Sequence, residues 1–208
     1  RIRAQYPLAM VDEFQDTDPL QFAIFRAIYP YVDSRDSGLI MVGDPKQAIY
    51  SFRGADLHTY LQARQLTRGR HYSLATNFRS TAALVQGVNQ LFNTAEQQRG
   101  AFGFGQAGAT ALPFLPVKAN GKNEQLERDG KAVPAVNYYL ASNEPAELKK
   151  GAYQALMAQA CADEIASLLQ QAQQGAAGFR GANGLSALQP ADIAILVRDK
   201  NEAALVRR

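Results

Sequence analysis

One cysteine, two histidines and no tryptophan occur in 208 residues. A lone Cys161 excludes an internal disulfide framework and the usual Cys-rich zinc sites. It fits a reducing, cytoplasmic compartment, and its place on an apolar helical stripe reads as a core thiol. His58 and His71 have no acids or thiols clustered beside them, and a metal site needs several convergent ligands. They read as helix-face and loop residues. No run of ~18 apolar residues is present, so no membrane span is expected. No basic segment followed by an apolar run marks a secretory signal. An initiator Met is also absent: the chain opens at Arg1 and closes at Arg207-Arg208 within an expected helix. It therefore reads as a piece of a longer protein.

What is present supports a folded chain of one to two domains. Hydrophobic residues make up 47% and charged residues 20%, enough to bury a core and unlike a disordered composition. The net charge of +3 is too small to name a partner. Its distribution is more informative. Residues 1–45 hold four basic and seven acidic side chains, and residues 46–79 hold six basic ones and a single acid, Asp56. An acidic cluster followed by a basic stretch suits a site for a metal and a polyanion, and equally an uneven surface.

Leu8–Val11 and Leu39–Val42 are short apolar runs that end in Asp12-Glu13 and Gly43-Asp44. Both read as fully buried strands. Between them Asp18-Pro19 marks a helix start, a capping carboxylate before a proline. Strand, helix, strand is the parallel α/β unit, whose ligands bind beyond the carboxyl ends of the strands. Asp56 caps an expected helix to about Leu66. A short strand is expected at Tyr72–Leu74, and a helix capped by Ser80 follows. From Asn93 to about Pro145 no period holds, which predicts an irregular insertion with a strand at Ala135–Leu140. A helix is expected from Tyr153 to Gly175, then a Gly-rich loop, a buried strand at Ile193–Val197, and a helix from Asn201.

Three segments can carry chemistry. In Asp12-Glu13-Phe14-Gln15-Asp16, one carboxylate can hold Mg²⁺ and the other can activate a water; alone, the pair also fits a solvated turn. In Gly43–Ala55, Gln47 can sense a phosphate or a water. There Tyr50, Phe52 and Arg53 interleave rings with a cation, a mixture that suits single-stranded nucleic acid or a packed turn. In Leu74–Ser80, Arg79 precedes a helix start where a guanidinium can meet phosphate. A fourth segment, Gly103–Gly108, fits G-x-G-x-x-G literally but has no strand before it or helix after it, so it reads as a loop.

In this order the motifs resemble those of the superfamily 1 helicases of the UvrD/Rep/PcrA and RecB type. Val11–Gln21 looks like motif II, Val42–Asp56 like motif III and Leu74–Ser80 like motif IV. Leu112–Asn123 and Pro190–Arg207 resemble the RecB type in particular. The resemblance implies a P-loop NTPase (RecA-like) α/β fold, incomplete here. Residues 1–92 would be the distal half of a first motor domain, 93–150 an insertion, and 151–208 the beginning of a second. It implies an ATP-dependent DNA helicase of exodeoxyribonuclease V type, using ATP and Mg²⁺. Single-stranded DNA, duplex ends, and RecC- and RecD-like subunits would be its partners. Asp12 would hold the metal and Glu13 would be the catalytic base. Gln47 would couple the γ-phosphate to DNA, and Asp44 would help link motifs II and III. Tyr50, Phe52 and Arg53 would contact DNA, Phe52 standing where many relatives carry Trp. Phe78 would flank adenine and Arg79 would contact the γ-phosphate. These 208 residues contain no G-x-x-x-x-G-K-[ST], no last helicase motif and no nuclease domain. UvrD-like and AddA-type helicases, and a non-catalytic DNA- or partner-binding module, are the alternatives.

Overall fold

The computed structural model describes residues 1–30, 36–49, 56–102, 112–141 and 148–207. It is a mixed α/β structure of two compact units. The first comprises Arg1–Ala75 with Gln90–Pro116, and the second Thr76–Asn89 with Val117–Arg208. Among the described residues, no helix is long and apolar enough to cross a membrane.

In the first unit a short helix, α1 (Ile2–Gln5), leads into β1 (Leu8–Val11), α2 (Pro19–Ile28) and β2 (Gly38–Met41). β1 and β2 pair in parallel, Leu8 opposite Gly38 and Val11 opposite Met41. The expected strand–helix–strand unit is therefore present. Its helix starts as the sequence requires. Asp18 accepts from the Gln21 backbone N–H at 2.7 Å, and the Gln21 side chain accepts from the Asp18 N–H at 3.1 Å. This reciprocal pair satisfies two otherwise orphaned donors. The strands are not fully buried, however. Leu8 is 64% and Met10 67% exposed, because packing covers only the face that carries Val11 and Met41. These two join Tyr60 around a core of Phe14, Phe22 and Ala63. Asp56 caps α3 (Leu57–Leu66) through the His58 N–H at 3.0 Å. His58 lies exposed on that helix and His71 in the loop beyond it.

Tyr72–Leu74 is not a strand. Both named residues are exposed, and the pairing segment is β3 (Thr76–Asn77), which lies parallel to β4 (Lys118–Ala119). α4 (Ala82–Gln98) is capped by Thr81, not Ser80: the Thr81 hydroxyl accepts from Leu84 N–H at 3.4 Å. It also runs beyond Asn93, where periodicity faded.

The second unit holds a four-stranded antiparallel sheet in the order β6-β5-β7-β8, made of β5 (Gln125–Arg128), β6 (Lys131–Ala132), β7 (Ala177–Gly181) and β8 (Gly184–Ala187). The segment expected to be irregular thus supplies β4, β5 and β6, and the expected Gly-rich loop is a hairpin. Ala135–Leu140 is not a strand. α5 (Lys150–Gln173) ends in a Schellman turn. Gly175 adopts φ +74°, its N–H donates to Ala172, and Ala176 N–H donates to Gln171. Ala172, Ala177 and Leu188 form the core, with Leu168 and Phe179 against it. Cys161 is half-buried on α5, short of a core thiol. Ile193–Val197 has no ladder partner among the described residues, and Leu196 is 98% exposed. α6 (Lys200–Val206) closes the chain, capped by Asp199.

Candidate nucleotide and nucleic-acid site

The parallel ladder continues past the carboxyl ends of β1 and β2. Val42 N–H donates to Val11 at 2.8 Å, and Phe14 N–H donates to Val42 at 2.9 Å. The chain must turn sharply between Val11 and Phe14, and Glu13 takes the left-handed conformation, φ +50°. That conformation costs a non-glycine residue roughly 1–2 kcal/mol. Asp12 offsets part of the cost by accepting the Glu13 N–H at 2.9 Å. Burial does the rest. Phe14 is 2% exposed, stands edge-on to Phe22 at 5.5 Å between ring centroids, and touches Tyr60 at 6.2 Å. The apolar anchor immediately after the acidic pair holds both carboxylates at the strand end.

Gln15 then joins the two strand ends. Its side chain is 1% exposed. Its amide donates to a Glu13 carboxylate oxygen at 2.6 Å, and its carbonyl accepts the Asp44 N–H at 3.0 Å. Gly43 makes room for this contact. A Cβ there would lie 2.7 Å from the Gln15 Oε1 and 3.1 Å from the backbone nitrogens of Phe14 and Gln15. Asp44 in turn accepts from the Lys46 N–H at 3.0 Å, pairs with the Lys46 Nζ at 2.7 Å, and accepts from the Gln47 amide at 3.3 Å. Burial pushes its carboxyl up, but the Lys46 and Gln47 contacts outweigh that and leave it below the ordinary value. Asp12, Glu13, Asp44 and Gln47 are thus gathered at the carboxyl ends of β1 and β2.

Among the described residues, no three His, Cys, Asp or Glu side chains converge as a metal cage. Asp12 is exposed at the strand end, and one of its oxygens accepts the neighbouring backbone N–H of Glu13. A lone carboxylate of this kind fits Mg²⁺, which keeps several waters and takes further ligands from substrate phosphates.

The UvrD/REP helicase N-terminal domain matches residues 1–68. The RecBCD enzyme subunit RecB of Escherichia coli (strain K12) is 43% identical over 208 residues, 99% of this chain and 16% of that protein. The RecBCD enzyme subunit RecB of Haemophilus influenzae is 42% identical over 206 residues, again 99% of this chain and 16% of that protein. The chain is RecB-like. It spans about one-sixth of the length of the curated relatives it matches.

In the second unit of this RecB-like chain, Phe78 and Arg79 project from a tight turn after β3. Asn77 Oδ1 accepts both the Arg79 N–H at 2.9 Å and the Ser80 N–H at 2.8 Å. This side-chain mimic of a backbone turn fixes the main chain under the two residues. Both side chains are exposed. Tyr50, Phe52 and Arg53 lie outside the described residues, as does the Gly103–Gly108 segment. Sequence reasoning missed Gln15 and Asn77. Gln15 is a polar side chain that the fold buries, which no local pattern reveals. Asn77 carries a signal that was readable, an Asx residue two and three positions before the amides it binds.

Proposed function

We propose that this chain is part of the first RecA-like motor domain, and the opening of the second, of an ATP-dependent DNA helicase–nuclease subunit. The subunit acts in the cytoplasm on double-strand breaks with RecC- and RecD-like partners. The observation that carries the reading is the link from Glu13 through Gln15 to Asp44 and on to Gln47, at the ends of two parallel strands. In parallel α/β sheets this is where ligands bind.

In that role Glu13 is the general base. Gln15 holds one of its oxygens, which orients the carboxylate to take a proton from the attacking water. Asp12 would hold Mg²⁺, which when bound would supply positive charge against the phosphates of the nucleotide. Gln47 borders the same phosphates and lies three residues before Tyr50, so its segment connects the hydrolytic site to the DNA-contacting side chains Tyr50, Phe52 and Arg53. Arg79 contacts the γ-phosphate as positive charge against the developing negative charge, and Phe78 packs against the adenine. The RecB-like relatives favour this reading over a UvrD-like or AddA-type helicase.

Glu13→Gln in the full-length protein tests it. Binding of a fluorescent ATP analogue stays within about twofold, while DNA-stimulated turnover falls by about 10²–10⁴, the range of a lost general base. Hydrolysis at the wild-type rate would overturn the assignment. The isolated 208-residue chain, having no phosphate-loop motif, is expected to hydrolyse no ATP. Measurable DNA-stimulated turnover by the purified chain would contradict that expectation.

A further inference from the structure

The turn that carries Phe78 and Arg79 does not stand on its own hydrogen bonds alone. A segment about forty residues downstream, Val117–Gly121, runs alongside it and is tied down at each step. Asn89 on α4 clasps Val117 with both ends of its amide, donating to the Val117 carbonyl at 2.9 Å and accepting its N–H at 3.3 Å. Lys118 and Ala119 pair with Thr76 and Asn77 as β4 on β3. Asn120 N–H donates to the Asn77 carbonyl at 2.8 Å. Gly121 then lies directly against the turn. A Cβ there would sit 2.3 Å from the Ser80 carbonyl oxygen, 3.0 Å from the Ser80 nitrogen and 3.1 Å from the Phe78 carbonyl carbon.

All three of those atoms are backbone, and they flank Arg79 on both sides. An alanine at this position cannot be relieved by a side-chain rotation. Restoring ordinary van der Waals separation requires the turn or the brace to move by about 1 Å. A displacement of that size at a group aligned on a reacting phosphate costs roughly 10²-fold in rate.

We infer that Gly121 is a positioning residue for Arg79, and that Val117–Gly121 is a backbone brace setting the turn from which the guanidinium projects. The inference rests on the proposed role of Arg79. It gives the segment between the motor motifs a function in the chemistry, through main-chain contact and not through contact with nucleotide or DNA.

A double-mutant cycle in the full-length protein tests it, read as kcat and nucleotide KM of the DNA-stimulated ATPase. Gly121→Ala lowers kcat by about 10²-fold with nucleotide KM within about twofold and the melting temperature retained. Arg79→Ala lowers kcat by at least as much. Together the two changes are no worse than Arg79→Ala alone, because the glycine acts only through the arginine. Additive losses would overturn the brace while leaving Arg79's role standing. Wild-type turnover in Arg79→Ala would overturn the role of Arg79 itself, and the brace with it. Should Gly121→Ala fail to fold, Asn77 reads the same turn from its other side. Asn77→Ala, which loses the acceptor, shows the kcat loss, and Asn77→Ser, whose hydroxyl can rebuild the turn, recovers most of it. Equal activity of both Asn77 variants with the wild type would equally sink the inference.

Discussion

The carbonyl of buried Gln15 accepts the backbone N–H of Asp44 at 3.0 Å, tying the two strand-end acidic segments together through one side chain. The same amide holds Glu13 at 2.6 Å. Gln15 therefore supports both stability and the aim of the carboxylate. Gln15→Leu keeps the volume but leaves the Asp44 N–H unpaired, at a cost of about 1–3 kcal/mol. Gln15→Glu sets a second carboxylate against Glu13 and is expected to be worse near neutral pH than in mild acid, where a protonated acid can donate. Urea unfolding at the two pH values checks both. A Glu variant equally stable at each pH would refute the Glu13 contact.

Phe14 is the apolar counterpart of that link. Its ring fills the space between Phe22 on α2 and Tyr60 on α3, one residue after a left-handed Glu13. Phe14→Ala is expected to cost about 3–5 kcal/mol, and Phe14→Leu clearly less. Because the acidic turn hangs on this anchor, nucleotide turnover falls with stability in the alanine variant. An alanine variant within about 1 kcal/mol of wild type would mean that the ring does not anchor the turn.

What could be read in the sequence follows from how local each signal is. Leu8–Val11, Asp18-Pro19 and Leu39–Val42 announce a parallel unit because strand hydrophobicity and helix capping act within a few residues. The acids at the strand ends, Asp12-Glu13 and Asp44, were legible for the same reason. The antiparallel sheet was not. Its strands are two to five residues long, too short for alternation to register, and β5 pairs with β7 about fifty residues away. Two dipeptides did carry the signal. Asp129-Gly130 takes φ +50° and +71° and closes the β5–β6 hairpin, the conformation a two-residue type I′ loop requires. Asn183-Gly184 spans the exit of the β7–β8 turn, whose central residues are Ala182 and Asn183, and Gly184 opens β8 at φ +105°. The Ile193–Val197 run misled because composition reports the tendency to pair, not the presence of a partner.

Arg128 fastens that sheet to α5. Its guanidinium donates to Gln171 at 2.6 Å, to Ser167 at 2.6 Å and to Glu164 at 3.1 Å, three partners on one helix face. A lysine keeps the charge but cannot reproduce this fork. Because the group is partly exposed, the cost of Arg128→Lys is set below that of a buried charged hydrogen bond, at about 1–2 kcal/mol. Thermal unfolding and hydrogen exchange along β5 and α5 report it. Unchanged exchange in both elements would show that the fork does not hold the sheet to the helix.

Glu202 gives the second unit an acid-sensitive joint. The Arg198 side chain and backbone N–H bind its carboxylate, and the Gln154 amide reaches it from α5 at 3.3 Å. These contacts, Arg198 first, outweigh burial and hold Glu202 at about 2, against an ordinary 4.5. A depressed carboxyl pKa means that the folded state binds its proton more weakly than the unfolded state. The contribution is therefore complete above 4.5 and disappears as the pH falls from 4.5 to about 2. Glu202→Gln removes it at every pH. Wild type and variant should differ in unfolding midpoint near neutrality and converge through that window. Parallel profiles down to its lower edge would show that the carboxylate, though hydrogen-bonded, is not what couples α5 to α6.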